Sequence, residues 1–181
     1  MTVNWERISL KELAALVSTA LRDDGIDAIL VGGACVSLYT NNRYQSFDLD
    51  FVTHSPVKEV TPPMRKIGFR RESTRHFTRK DCPFFIEFVA PPAAIGDAPV
   101  TDRHVMRTKY GNILMLTASD SVKDRLAAYF HWKDPQSLEQ AVLIAKSRKV
   151  DMKEIRRFSR NEGFTEKYGN FEKRVLRKRP S

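Results

Sequence analysis

The chain has 181 residues, of which 41% are apolar and 29% are charged, and its formal net charge is +9. Such a chain fits one compact domain, or one domain with a small helical annex; it is too apolar to be disordered, and no apolar stretch reaches the roughly 20 residues of a membrane-spanning helix. With no leader-like N-terminal segment and no Cys or His group at zinc-ligand spacing, we expect a cytoplasmic protein with reduced cysteines and no membrane partner.

Residues up to 116 predict a mixture of helices and strands, because apolar residues recur at helical spacing in some segments and form short bounded runs in others. In chain order the predicted elements are a helix over 9–24, a strand over 28–31, a short helix over 34–39, a strand over 47–53, a helix ending by Gly68, strands over 69–78 and 84–89, a loop over 93–100 and two short strands within 103–116. Ser9 and Glu12 form a capping box at the first helix. Pro62 and Pro63 suit a first turn but not a helix interior, so the third helix is expected to begin after them.

The signals become helical from Thr117 onward. Capping residues, prolines or glycines predict helix starts near 117–119, 134–135, 151 and 163. The aromatic residues Tyr129, Phe130 and Trp132 are expected to lie in the core, with a base-stacking platform as the alternative. We therefore predict an α+β fold in which residues 1–116 form a small mixed β-sheet core flanked by helices. Residues 117–181 then form a helical C-terminal region with a basic tail.

Asp48 and Asp50 are the most informative residues of the chain. Side chains at i and i+2 of a strand point to the same face, so both carboxylates face one way while Phe47, Leu49 and Phe51 face the other. Two close carboxylates repel each other, and this repulsion is costly unless a cation lies between them. A hard divalent ion with oxygen ligands, Mg²⁺ or Mn²⁺, suits such a pair. The alternative is an acidic pair that only faces solvent.

Two further features strengthen the metal hypothesis. Gly32 and Gly33 separate a strand from a helix, and such a turn lets backbone N–H groups and a helix N-terminus approach a phosphate, although it can also be purely structural. Glu87 is the only charged residue in the apolar strand 84–89. If that strand pairs beside the one with the two aspartates, three carboxylates meet and can hold two divalent ions about 4 Å apart. The chemistry indicated is phosphoryl or nucleotidyl transfer.

The spacing of these motifs resembles the polymerase-beta-type (minimal) nucleotidyltransferase superfamily. The resemblance covers residues 28–89, and it implies the α+β nucleotidyltransferase core predicted above. It also implies roles for single residues. These are triphosphate binding by Gly32, Gly33 and Ser46, and metal binding and catalysis by Asp48, Asp50 and Glu87.

The segment 117–134 is similar to the AbiEii-like toxin nucleotidyltransferases and their uncharacterised bacterial relatives. In that family a helix lysine faces the triphosphate and an aspartate follows about three turns later. Lys123 and Asp134 match those places, which implies a catalytic and triphosphate-binding role for Lys123 and a nucleotide-site role for Asp134. The alternatives are a surface lysine paired with a neighbouring acid, and an aspartate that caps the helix starting at Pro135.

Together these resemblances imply a metal-dependent enzyme that moves a nucleoside monophosphate from an NTP to an acceptor hydroxyl. The basic charge favours RNA or tRNA as the acceptor, and the AbiEii-like resemblance implies a toxin with a cognate antitoxin. Small molecules such as aminoglycosides are a second acceptor class. A catalytically weak module that binds nucleotide or RNA is the alternative. RNA binding alone predicts aromatic residues interleaved with basic ones, of which 75–79 is an example.

Overall fold

A seven-stranded mixed sheet organises the computed structural model, which describes residues 3–90, 94–96 and 98–177. The strands are β1 (Ala28–Val31), β2 (Asp48–Thr53), β3 (Arg70–Arg71), β4 (His76–Thr78), β5 (Phe85–Val89), β6 (Ala94–Ile95), β7 (Ala98–Pro99), β8 (Arg103–Thr108) and β9 (Gly111–Leu116). The large sheet has the order β3-β4-β5-β2-β1-β9-β8, and β6 and β7 form a separate pair. The pairs β2–β5 and β1–β9 are parallel and the other pairs are antiparallel.

Helices cover parts of both faces of this sheet. They are α1 (Leu10–Asp23), α2 (Gly32–Thr40), α3 (Val57–Lys66), α4 (Ala118–Trp132), α5 (Pro135–Ser147), α6 (Met152–Asn161) and α7 (Thr165–Leu176). Helices α1 and α3 pack together on one face, while α2 packs against β1, β2, α4 and α5 on the other. The predicted α+β class is confirmed, and so is the capping box of α1, where the Ser9 side chain accepts from the Glu12 amide.

The third helix differs from its prediction. It begins at Val57 and contains both Pro62 and Pro63, so the expected start after the prolines was wrong. Interior prolines cost about 3 kcal/mol each. The helix nevertheless buries Val60, Pro63 and Met64 along one stripe, and this burial of apolar surface offsets the lost backbone hydrogen bonds.

Two further local predictions were wrong. The segment 69–78 forms a hairpin of two short strands, β3 and β4, in which the Glu72 amide donates to the His76 carbonyl at 2.9 Å. The expected loop over 93–100 contains the β6–β7 pair, although residues 93 and 97 lie outside the described residues. Each of these strands has only two or three residues, too few for a periodic pattern to reveal.

One buried core joins the two parts predicted at 1–116 and 117–181. This core includes Leu30 and Phe51 from the sheet together with Phe130 and Ile155 from the C-terminal helices. The boundary between the two parts stays a prediction. Trp132, expected in the core, is 83% exposed at the last position of α4, whereas Phe130 is buried.

In the described part of the chain, none of the helices has the length and apolar character needed to cross a bilayer. Cys35 and Cys82 are both free thiols. Of the predicted basic tail, residues 178–181 lie outside the described residues.

Candidate functional site

The register of β2 against β5 brings the predicted carboxylates onto one face of the sheet. Asp50 pairs with Glu87 and Asp48 pairs with Phe85 across the two parallel strands. Partners in register point to the same face, and the strands lie about 4.8 Å apart. Asp48, Asp50 and Glu87 therefore face the same way, as the metal hypothesis requires. On the opposite face Leu49 and Phe51 are buried, but Phe47 is exposed, contrary to expectation.

Gly32 lets the Asp50 carboxylate approach the N-terminus of α2. Gly32 has a φ of +67°, and a Cβ placed there would lie 2.6 Å from Oδ2 of Asp50. Asp50 also pairs with Val31, the residue that precedes α2. The carboxylate therefore lies beside the first residue of this helix, where free backbone N–H groups and the helix dipole favour negative charge. A phosphate can bind at the same N-terminus.

Ser46 holds the second aspartate. Its hydroxyl donates a hydrogen bond to the Oδ1 atom of Asp48, and its amide donates to the Ser37 hydroxyl at 2.9 Å. A Cβ at Gly33 would lie 2.9 Å from the Ser46 hydroxyl, so the glycine also makes room for this contact. In this structure the contacts of Ser46 make it a residue that orients a carboxylate; its predicted role toward the triphosphate stays a prediction.

The three carboxylates influence one another electrostatically. Burial, and then the charges of Asp48 and Glu87, raise the pKa of Asp50 from 3.8 to about 7. A carboxylate in this environment is poised to accept a positive charge, because a cation would relieve both the burial penalty and the repulsion. The donor set, carboxylate oxygens only, suits Mg²⁺ or Mn²⁺.

The carboxylates do not form a ready-made metal cage. Among the described residues, no three His, Cys, Asp or Glu side chains converge closely enough to hold a metal ion. The backbone register places the three acids correctly, and Glu87 is exposed, so its side chain has room to rotate toward the aspartates. The residues thus fit a divalent ion by chemistry and position, with a change of side-chain rotamer still required.

Arg125 is a site residue that the sequence did not single out. Its guanidinium is largely buried and pairs with Asp124 at 2.6 Å. It also lies close enough to Asp50 that its positive charge offsets part of the rise in the pKa of Asp50. Burial is the largest single influence on Arg125 and opposes its charge, but the charge and hydrogen bond of Asp124 together with the charge of Asp50 contribute to a net rise in the pKa of the guanidinium. Arg125 lies two residues after Lys123 on α4, and it is Arg125 rather than Lys123 whose charge acts on Asp50. A charged residue within the amphipathic pattern of α4 was the sequence feature that could have pointed to Arg125.

We expect Arg125→Met to lower the free energy of unfolding by about 2 kcal/mol, because Asp124 loses its partner while still largely buried. The change should also raise the apparent pKa of Asp50. Urea unfolding measures the first effect. The matched control is Arg103→Met, since the pair between Arg103 and Asp27 is exposed and should change stability by less than about 1 kcal/mol. Equal losses in the two variants would contradict the role of burial.

Lys123 and Asp134 both pair with protein groups, as in their alternative interpretations, but Lys123 is buried, with 9% of its surface exposed, and is not a surface lysine. The Lys123 ammonium lies 2.6 Å from Asp120 and 2.7 Å from Glu154, which links α4 to α6. Asp134 caps α5, accepting from the Gln136 amide at 3.0 Å and from the Ser137 hydroxyl at 2.5 Å. The hydrogen bond from Ser137 is the main reason why the pKa of Asp134 is lowered. These contacts explain the positions of both side chains without a bound nucleotide. The roles predicted for Lys123 and Asp134 in nucleotide binding stay predictions.

No protein-family model matches the sequence, and none of the curated proteins matches it. Solved structures do match. The chain is similar to an antigenic nucleotidyltransferase-like protein from Paracoccidioides brasiliensis, with 14% identity, a TM-score of 0.64, and coverage of 92% of this chain and 91% of that one. It is also similar to the antibiotic-resistance factor ANT(2'')-Ia in solution, with 12% identity, a TM-score of 0.53, and coverage of 90% and 94%.

A crystal structure of ANT(2'')-Ia in complex with adenylyl-2''-tobramycin gives a similar match, with 10% identity, a TM-score of 0.52, and coverage of 88% and 98%. At these identities the comparisons establish the fold. The chain has the α+β fold of nucleotidyltransferase-like proteins over nearly its whole length, which agrees with the superfamily resemblance in the sequence.

Proposed function

We propose that this protein is a metal-dependent nucleotidyltransferase that moves a nucleoside monophosphate from an NTP to an acceptor hydroxyl. The observation that carries the proposal is the β2–β5 register, which aligns Asp50 with Glu87 on the face that carries Asp48. The position of Gly32, against the Asp50 carboxylate at the start of α2, supports a phosphate at the same place. The fold comparisons support the class of reaction.

Each residue of the site has a definite task in this reaction. The N-terminus of α2 binds the triphosphate, Ser46 orients Asp48, and Arg125 adds positive charge behind Asp50. A divalent ion held by the three carboxylates would neutralise the triphosphate and align it for attack. Glu87, the exposed acid, takes the proton of the acceptor hydroxyl. The acceptor oxygen then bonds to the α-phosphorus, and the bond from that phosphorus to pyrophosphate breaks.

The acceptor proposed first is an RNA hydroxyl, such as a tRNA 3′ end, because the net charge of +9 attracts a polyanion. Transfer to such an RNA would suit a toxin with a cognate antitoxin, which the AbiEii-like resemblance implies. The second candidate is a small-molecule acceptor, favoured by the fold similarity to the aminoglycoside-modifying structure with adenylyl-2''-tobramycin. A catalytically weak binding module is disfavoured, since all three acids are present on one sheet face.

The test is label transfer from each α-labelled NTP, with magnesium, to total RNA, total protein or an aminoglycoside. We expect the parent to label one of these pools and Asp50→Asn to lose labelling by at least about 1,000-fold, because a metal-site carboxylate is removed. Asp23→Asn removes an exposed acid at the end of α1 and should leave the rate unchanged. Equal labelling by Asp50→Asn and the parent would refute the proposal.

A further inference from the structure

The β2, β5 and β4 part of the sheet has an open face beside the carboxylates. Along β5 the side chains alternate, so Phe85, Glu87 and Val89 share the face of the aspartates, whereas Ile86 and Phe88 are buried in the core. Glu87 is exposed and Val89 is 39% exposed. A molecule that brings a hydroxyl to Glu87 therefore has to approach over this face.

Two aromatic rings stand next to Glu87 on this face. His76 on β4 is the register partner of Glu87, so the two side chains point the same way. The His76 ring lies against the Phe85 ring, with centroids 4.6 Å apart and the two ring planes tilted by 34°. Both side chains are half-buried, so part of the ring pair remains accessible. An accessible ring face can receive a planar ligand such as a base.

An arginine lies at the outer end of the same face. Arg70 on β3 is the register partner of Thr78, which shares the face of His76 because it lies two residues later on β4. Arg70 is exposed, while the Thr78 hydroxyl donates to the Glu72 carboxylate at 2.5 Å. Since neighbouring strands are about 4.8 Å apart, Arg70 lies about 10 Å from β5. From the sheet centre to its edge, the face offers carboxylates, then the tilted ring pair, then the Arg70 guanidinium with the Glu72 carboxylate nearby.

We propose that this surface, the acceptor ledge formed by Phe85, His76 and Arg70, binds the 3′ end of a single-stranded RNA acceptor. The inference rests on the transfer reaction proposed above and adds the acceptor's binding surface to it. The terminal ribose hydroxyl would lie at Glu87, a base on the accessible face of the His76–Phe85 ring pair, and a phosphate at Arg70. Aromatic rings bind unpaired bases with little sequence preference, and arginine binds phosphate through paired hydrogen bonds.

The Arg70 guanidinium and the net charge of the chain favour RNA over a polycationic acceptor when a divalent ion offsets the neighbouring carboxylates of Asp48, Asp50 and Glu87. An aminoglycoside would meet the Arg70 guanidinium at the edge of the sheet and a chain of net charge +9. An RNA strand would instead be attracted by the Arg70 guanidinium and by the positive net charge of the chain, because the neutralisation of phosphates by basic side chains provides much of the affinity of proteins for nucleic acids. Of the aromatic and basic residues interleaved over 75–79, His76 lies on this face, whereas Phe77 is buried on the opposite face and Arg79 packs over the Trp5 ring.

The experiment measures binding of a fluorescently labelled single-stranded RNA with a free 3′ hydroxyl, in magnesium buffer without NTP. We expect Arg70→Gln to weaken binding about 5- to 10-fold and to lower the slope of log affinity against log salt by about 1. Phe85→Leu, which keeps apolar volume but removes the ring, should weaken binding about 5- to 50-fold. The controls Lys11→Gln and Trp132→Leu change an exposed charge and an exposed aromatic elsewhere, and should bind within about twofold of the parent.

The outcomes separate this inference from the reaction itself. RNA binding unchanged in both ledge variants overturns the inference, even if Asp50→Asn still abolishes label transfer. Weaker binding of Mg·ATP instead of RNA also overturns it, because the rings would then hold the base of the NTP. Loss of RNA binding with no label transfer by the parent would uphold the ledge and refute the transferase proposal. Arg70→Gln changes an exposed side chain, so the test stands even if Phe85→Leu unfolds.

Discussion

Asp50→Asn is expected to make the protein more stable at pH 8 while it removes the proposed activity. The pKa of Asp50 is about 7 in the folded protein against an ordinary value of 3.8, which corresponds to at most about 4 kcal/mol. Because the side chain is partly exposed, we expect a gain of about 2–3 kcal/mol in the free energy of unfolding. The neutral amide avoids both the burial of a charge and its repulsion by Asp48 and Glu87.

The sign of the pH dependence follows from the direction of the pKa shift. A raised carboxyl pKa means that the folded state binds more protons than the unfolded state between about pH 4 and pH 7. The parent should therefore lose stability as the pH rises through this window, and the loss is complete above pH 7. Asp50→Asn should match the parent at pH 4 and exceed it at pH 8.

Urea unfolding of both proteins at pH 4, 6 and 8 measures this difference. Asp23→Asn is the control, since this exposed acid should leave the pH profile unchanged. Magnesium should stabilise the parent at pH 8 and stabilise Asp50→Asn much less, because binding to the folded state adds to stability only where the ligands are present. A constant difference between variant and parent across the three pH values would contradict the charge-repulsion account.

Gly32→Ala is expected to damage both stability and the proposed activity. Alanine at a φ of +67° is strained by about 1–2 kcal/mol, and its Cβ would lie 2.6 Å from Oδ2 of Asp50. Either the backbone shifts or the carboxylate rotates away from the start of α2. We expect a loss of about 2–3 kcal/mol in the free energy of unfolding. Label transfer should fall at least about 100-fold, since a small misplacement of a reacting group has that effect.

Substitutions at two other glycines separate the effect of backbone strain from the effect of the close contact with Asp50. Gly25 has a φ of +73°, and no atom lies within 4 Å of the position that a Cβ would take there, so Gly25→Ala should show the backbone strain alone, about 1 kcal/mol. Gly169 lies in α7 with open space around it, and Gly169→Ala should be neutral or slightly stabilising. Thermal and urea unfolding measure all three variants. Two results together would contradict a role for the close contact between Gly32 and Asp50. These are an equal loss of stability in Gly25→Ala and Gly32→Ala, and full label transfer by Gly32→Ala.

Local sequence patterns determined much of the fold. The capping box of α1, the apolar runs of β1 and β5, and the glycine pair at the start of α2 each predicted an element that the structure contains. They succeed because helix caps, alternating burial and glycine turns depend on residues within a few positions of one another. The same locality explains why Asp48 and Asp50 could be placed on one strand face from the sequence.

The failures in the fold have a physical cause that lies outside each segment. In α3 the burial of Val60, Pro63 and Met64 overrides the cost of two interior prolines, and that burial depends on distant partners. Trp132 was expected in the core as a large aromatic residue, yet it lies exposed at the end of α4, because which side of a helix meets the core depends on partners elsewhere in the chain.

For the site, the sequence showed which residue types were available, but it did not show which of them come together in space. Residue types and spacing were enough to predict an acidic pair on one strand, a lone acid on another, and a glycine turn suited to phosphate. The pairing of Glu87 with Asp50, and the approach of Arg125 rather than Lys123 to these acids, became visible in the folded chain. Strand pairing and helix rotation are set by packing between segments far apart in the chain, and no local pattern specifies which partner each segment meets.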